Sequence, residues 1–518
     1  MTGRDDPRLV AIRRDLSGGV NSRQEGTIIG ENQCTLLYNV DLGTPGQTSK
    51  RPGSTLIGND ASVNTFAALH NYERQGYTSS LIAYDDTRLI EWAGSGNWAA
   101  ITDSSFTTAQ TDVGIISAKE SGHVPDDVFI VQNGTDNACR FTKNSSGVWS
   151  KEDLGDTANS PPLTTVMCWY GNRIWCLKND LLYYSNAYPA TYSSTFDRST
   201  SIFRIPVGQE RGLVPTRDLG IIVMGRDQIW GFAPTTTPAA TDKPEPIVTN
   251  RGVVSKKGWV NAGDDIYYFA QDGFRALKRT VQDKLQAGAD YPISYFLKDE
   301  FDKINWTYID RLTMEYFDNK IFIGVPTGAA TFDTWVFYPA TNSFMIITGW
   351  LPRQWAKYRV GGEERLYYAI HGNGAVYRAW YGYTDEGATT TTGTAINYQE
   401  EGRKEDLGQP LVTKFGGTLK IRAISSGDYT VTISASIDDQ AYNLLGTLAL
   451  QGTSPTLPAT LPFTLADTNI VEDSYSLDAL GEWRSIKIKL QHNAANGSDD
   501  IIFLERSIAT FACEYQDE

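Results

Sequence analysis

A short alternating strand, a turn of Asp, Asn or Gly, and a second aromatic strand recur through most of this sequence. That recurrence restricts the fold more than any other feature. Copies begin at Leu81 (LIAYDDTRLIEWAG), Val128 (VFIVQNGTDNACRF), Met167 (MCWYGNRIWCLKN) and Ile221 (IIVMGRDQIWGF). Three more begin at Ile266 (IYYFAQDGFRAL), Met314 (MEYFDNKIFIGV) and Leu366 (LYYAIHGNGAVYRAW). The flanks alternate as strands do, and the turn residues accept the positive φ of a tight hairpin. The copies lie roughly 40–55 residues apart, close to the length of one four-stranded propeller blade. Stretches such as DTWVFYPATNSFMIITGW (333–350) supply further strands between hairpins. No regular WD dipeptide and no Ser-x-Asp-x-Gly-x-x-Trp box accompanies the repeat. The spacing predicts a β-propeller of six or seven blades over residues 61–385.

One stretch, 280–305, has helix-like spacing and is expected to hold one or two short helices between blades. The Thr- and Gly-rich segment from Thr384 marks a boundary. Beyond it the alternation runs longer (TLKIRAIS, DYTVTISASID, SIKIKLQHN, IIFLERSIATFACEY), with the polar loop 451–468 between two of the runs. Several antiparallel strands with long connections predict a β-sandwich over 386–518. With 27 Tyr, 20 Phe, 13 Trp and 47 Gly, the composition agrees with an all-β chain.

The same sequence offers little catalytic chemistry. Its net charge is −15, and its two short basic strings, SKKGW (255–259) and GRKED (402–406), read as solvated turn charges. Counterion-driven nucleic-acid binding needs far denser Lys and Arg. The opening MTGRDDPRLV has no apolar core of a secretory signal, and no apolar run approaches membrane-spanning length. Cys34, Cys139, Cys168, Cys176 and Cys513 are scattered and read as free thiols of a cytosolic fold. Asn133, Asn144, Asn305 and Asn496 match the glycosylation pattern but read as turn residues. His70, His123, His371 and His492 show no metal-ligand spacing, and His371 reads as a solvated turn residue. No nucleophile elbow or phosphate-binding loop is present. Carboxylates at Asp85, Asp86, Asp126, Asp127, Asp264, Asp265, Asp272 and Asp318 fall at hairpin turns, one set per hairpin, which spreads them around a propeller. A glycosidase needs two gathered around one bond. No catalytic residue, cofactor or metal site is therefore expected, and the chain is expected not to be an enzyme.

Three strings near the start precede the repeat: DLSGGVNSR (15–23), NQCTLLYNVDL (32–42) and KRPGS (50–54). In that order they resemble the amino-terminal signature of tail proteins of short-tailed bacteriophages, the tail nozzle, tail tubular protein B or packaged-DNA stabilisation family. The resemblance continues at GVVSKKGWVNAGDDIYYFAQDGFRAL (252–277) and at DNKIFIGVP (318–326). It ends with LYYAIHGNGAVYRAWYGYTDEG (366–387) leading into DLGQPLVTKFGGTLKIRA (406–423).

The resemblance implies a virion structural protein, assembled in the host cytoplasm into the phage tail. It implies a ring, a hexamer, below the portal and adaptor, with tail fibre or spike proteins as further partners. Genomic DNA would be retained by the ring and pass through its lumen without sequence recognition. Residues 1–60 would form an extended arm or edge-strand segment contacting neighbouring subunits or the adaptor, with Asp15, Gly18, Gly19, Asn21, Asn39, Arg51, Pro52 and Gly53 as assembly residues. The Gly18–Gly19 pair would allow a sharp reversal, and KRPGS would turn with Gly53 at positive φ. An ordinary N-terminal segment tied to the domain's own sheet is the simpler alternative. Two other functions fit the same fold. One is a carbohydrate-binding or carbohydrate-cleaving propeller using Trp92, Trp98, Trp149, Trp230 or Trp380 against sugars. The other is a different tail-tip or fibre-attachment component.

Overall fold

The computed structural model describes residues 8–13, 15–59, 66–110, 112–121, 127–285, 291–372, 374–387, 393–424, 430–450, 470–492 and 502–512. His123, Asp126, Asn496, Cys513 and the loop 451–468 lie outside them.

Seven sheets surround one axis. Their innermost strands are Phe66–Tyr72, Gly114–Lys119, Met167–Tyr170, Glu210–Pro215, Trp259–Asn261, Thr313–Phe317 and Pro352–Val360. Each is the first strand of an antiparallel blade, and each of the seven sequence hairpins falls in a different blade. Among the described residues, six blades have four strands and the fifth has three. After that fifth blade comes the helical insertion expected from spacing, Leu277–Leu285 and Lys298–Asp302 with short 3-10 turns around the second helix. Second strands such as Ser80–Asp85, Asp127–Gln132 and Ile221–Gly225 are buried along their whole length. Flanking blades cover both faces, so these strands need apolar residues on both. Aromatics fill the wedges between blades, as where Trp92 of blade 1 meets Tyr358 and Tyr367 of blade 7 at 5.8 and 5.7 Å. Asp318 and Asn319 both take positive φ (48° and 56°), the requirement of a two-residue type I′ hairpin.

The expected sandwich is present as two facing sheets. One contains Ile470–Ser476, Lys414–Ile424 and Ile502–Ala512; the other contains Tyr398–Gly402, Ile486–His492, Thr430–Ile437 and Asn443–Ala449. Leu419, Ile421, Val431, Ile433, Leu490 and Phe503 fill the space between them. That core is continuous with blades 5 to 7 through Cys34, Leu37, Phe337 and Trp335.

Residues 8–59 do not form the extended arm expected from the resemblance. Arg8–Arg13 pairs with Ile502–Ala512 of the first sandwich sheet, and Thr48–Lys50 pairs with the same strand. Gln33–Tyr38 lies between Tyr398–Gly402 of the second sheet and Ser343–Ile347 of blade 6, making one sheet of the two domains. Ser54–Asn59 is the outer strand of blade 7, so the first and last blades' sequence neighbourhoods close the ring together. A strand row left unpaired would expose backbone donors and acceptors, which is why the segment is stitched in.

The stitching centres on Arg51, whose side chain is fully buried. Its Nε donates to Asn39 Oδ1 at 2.8 Å, Nη1 to Pro52 O at 2.9 Å and to Asp385 Oδ1 at 3.1 Å. Nη2 donates to Asp385 Oδ2 at 2.6 Å and to Thr348 O at 3.5 Å, and the guanidinium lies 4.7 Å over the Trp350 ring. Asn39 takes positive φ (59°) and donates to Thr348 Oγ1 and Asn397 O. Gly53 is not at positive φ, contrary to the turn read from KRPGS. It is needed because a Cβ there would lie 2.0 Å from Thr384 O.

A chain starting at residue 61 is expected to lose cooperative folding, since it lacks strands from blade 7 and both sandwich sheets. Thermal melting followed by circular dichroism checks this; a sharp native-like transition would contradict the stitched topology. Arg51→Met is expected to lower stability by about 3 kcal/mol, the low end of the cost of removing one partner of a buried ion pair, because Ser54 Oγ and Trp350 Nε1 still donate to Asp385; denaturant titration measures it.

Candidate functional site

The seven inner strands leave an axial cavity of about 400 Å³. Leu69, Ile115, Met167, Leu213, Val260, Met314 and Gln354 reach it, one from each blade. Apolar strand positions form most of its wall. The charged groups come mainly from where the chain enters or leaves these strands: Asp112, Lys256 and Lys257, with Arg211 and Glu315 on the strands themselves.

Lys256 is ion-paired with Asp112 and donates to Thr165 Oγ1 at 2.7 Å; that hydroxyl donates to Asp112 Oδ2 at 2.8 Å. Burial pushes the Asp112 carboxyl up, but Lys256, then Lys257 and Thr165, hold it below the usual range. Lys257 has no carboxylate contact of that kind. Its Nζ donates to Ala67 O at 2.8 Å and to Gln354 Oε1 at 2.5 Å. Burial first, then the positive charges of Arg353 and Lys256, push it down to about 7, with Asp112 opposing. Glu315 moves the other way: burial raises its carboxyl, and Lys357 at 3.7 Å offsets only part of this. Two carboxylates of one cavity thus have opposite tendencies, the pattern that separates an acid from a base.

These groups were not legible as a site. SKKGW reads as solvated turn charge, yet Ser255 donates to Asp310 O and Leu312 O, and Gly258 N donates back to Ser255 O. That turn directs Lys256 and Lys257 to the axis. The available signal was two lysines immediately before a blade's first strand. Asp112 lies outside every hairpin turn, and Glu315 reads as an ordinary strand residue.

The assembly residues named from the sequence lie elsewhere. Asn39, Arg51, Pro52 and Gly53 meet at the junction described above. Gly18, Gly19 and Asn21 form a second group at the blade 6 edge. Gly19 has positive φ (68°), and a Cβ on it would sit 2.7 Å from Phe344 N and O. Asn21 is buried and donates to Gln33 Oε1 at 2.9 Å. Asp15 accepts from Ser17 N and Oγ in an exposed turn. Asp272 and Asp318 pair with Arg275 and Lys320 at their hairpins. His371 is not solvated: it packs on Phe332 and meets Arg311 Nη1 at 3.2 Å. Trp92, Trp98, Trp149, Trp230 and Trp380 do not line the cavity. Among the described residues, no group of three or more His, Cys, Asp or Glu is placed to hold a metal ion, and no helix is long and apolar enough to cross a membrane.

No protein-family model matches the chain, and no curated protein does. Solved structures similar to it include an exo-β-1,3-galactanase from Phanerochaete chrysosporium bound to β-1,3-galactotriose, at 9% identity and TM-score 0.28 over 89% of this chain and 100% of that one. A puromycin hydrolase is similar at 9% identity and TM-score 0.34, over 75% of this chain and 60% of the other. An ancestral GH74 enzyme is similar at 12% and 0.36, over 66% and 50%. Likeness this distant carries no substrate to this chain. The expectation that the chain is not an enzyme is corrected: it rested on carboxylates spread one set per hairpin, yet Asp112 and Glu315 both line the axial cavity.

Lys257→Met is expected to raise thermal stability relative to the parent most below about pH 7, where the native ammonium is charged and desolvated. The difference should shrink as pH rises toward about 10, the ordinary lysine range. Melting temperatures of both proteins between pH 5.5 and 9.5 check the sign.

Proposed function

We propose that the chain is a ring-forming component of a bacteriophage tail, the reading implied by its ordered sequence strings. One observation carries this: strings far apart in the sequence meet at one buried joint. Arg51 of KRPGS pairs with Asp385 of TDEG, Ser54 Oγ donates to the same carboxylate at 3.0 Å, and Leu56 N donates to Glu386 Oε2 at 2.7 Å. Asn39 of NVDL completes the cluster. Residues that fix how a propeller is fused to a sandwich are those a family of this architecture needs, while blade surfaces are free to vary. Assembly as a hexamer, contact with portal, adaptor and fibre proteins, and passage of DNA follow from the resemblance. Analytical ultracentrifugation and negative-stain imaging of the purified chain test it. A closed ring of about six copies, and antibody label at the virion tail, are expected; a protein that stays monomeric at all concentrations and labels no tail would remove the reading.

A second reading, a carbohydrate-active propeller, is favoured by Asp112 and Glu315 in one cavity with Trp259 and Trp355 in its wall. Tryptophan faces stack on sugar rings, and paired carboxylates cleave glycosidic bonds. Sugar release from a polysaccharide panel, lost in both Asp112→Asn and Glu315→Gln with melting temperature unchanged, is its expected signature. Equal release by the variants would remove Asp112 and Glu315 from the chemistry.

A further inference from the structure

The axial cavity has an excess of hydrogen-bond donors. Arg211 Nε, Trp259 Nε1 and Gln354 Nε2 are buried, and none has an acceptor. All three residues line the cavity. No carboxylate, carbonyl or hydroxyl oxygen of a cavity-lining side chain is buried without a partner among the described residues. Buried polar groups in folded proteins are overwhelmingly paired, so a set of unpaired atoms of one kind points to a missing group of the opposite kind. The missing group accepts and does not donate. Guanidinium, indole and primary amide N–H can all serve a carboxylate or phosphate oxygen.

Charge points the same way. In a chain of net charge −15, the cavity wall carries Arg211, Lys256 and Lys257 against Asp112 and Glu315. Asp112 is already occupied by Lys256 and Thr165, and Glu315 lies beside Lys357. Lys257 bonds only to the neutral acceptors Ala67 O and Gln354 Oε1. A low-dielectric cleft with such a lining focuses attraction on an anion.

We propose that the axial cavity is a binding site for a small anionic ligand bearing a carboxylate or phosphate, held by Lys257 with Arg211, Trp259 and Gln354 as donors. The cavity of about 400 Å³ suits a single acidic sugar or a phosphorylated small molecule, not a polymer threaded along the axis. The site stands apart from both readings above: ring assembly does not depend on it, and cleavage would be lost at the carboxylates and not at Lys257. Because Lys257 is pushed down to about 7, the site should weaken as pH rises through neutrality. Asp112, Glu315, Lys256, Arg211 and Arg353 are the other charged groups around it; the lysines hold the Asp112 carboxyl down, and burial pushes that of Glu315 up.

Isothermal titration of the full chain at pH 6 with sodium phosphate, D-glucuronate and D-glucose tests this. Binding of at least one of the two anions, with no heat from glucose, is expected. The tighter anion identifies the source of the oxygens as a phosphate or an acidic sugar. Lys257→Met and Arg211→Gln should each weaken the anion at least tenfold with a melting temperature no lower than the parent's, so failure of one variant to fold leaves the other to decide. Parent affinity should fall between pH 6 and 8.5, and that fall should vanish in Lys257→Met. No heat from either anion at 10 mM, glucose binding as tight as glucuronate, or unchanged affinity in the folded variants would overturn the proposal.

Discussion

Arg51 is the point on which both halves of the molecule depend. A guanidinium presents five N–H donors in a fixed plane, and burial requires that each find an acceptor. Here the acceptors come from Asn39, Pro52, Thr348 and Asp385, and Trp350 covers the plane. Those residues belong to the N-terminal segment, the exit of blade 6 and the chain leaving blade 7. Satisfying one side chain therefore fixes three separate passages of chain. A lysine could not do the same, because its point charge matches neither the two carboxylate oxygens nor the stacking surface.

The joint explains why two architectures behave as one body. Blade 6 and the second sandwich sheet share Gln33–Tyr38, and one apolar core runs through both. The propeller's ring closes with Ser54–Asn59 on blade 7, a strand supplied from before the first blade. Closure from the opposite end of the chain prevents the first and last blades from separating independently. With the ring rigid, the inner strands can hold charged groups at the axis in fixed positions, which loops on a loose scaffold could not.

The axial cavity shows how a locally ordinary sequence becomes chemically specific. Lys256 and Lys257 are adjacent, yet one is neutralised by Asp112 and the other meets only neutral acceptors. Asp112 and Glu315 are both carboxylates of the same cavity, yet one is held ionised and the other is pushed toward its neutral form. The neighbours that make these differences belong to blades distant in sequence.

The sequence alone determined the all-β class, the seven hairpins, the helical insertion after the fifth blade and the sandwich that follows. Each rests on local alternation, turn chemistry and spacing, which act within about 50 residues. The tertiary structure decided the rest. KRPGS looked like a turn with Gly53 at positive φ, but that glycine is required by the approach of Thr384 O, a contact more than 300 residues away. Residues 1–60 looked like an arm because they lack the blade pattern, but the partners of their strands lie in blades 6 and 7 and in the sandwich. SKKGW looked solvated because nothing in five residues reveals that seven strands converge around it. Burial and pairing are properties of the closed ring, and a linear pattern carries them only after the ring is known.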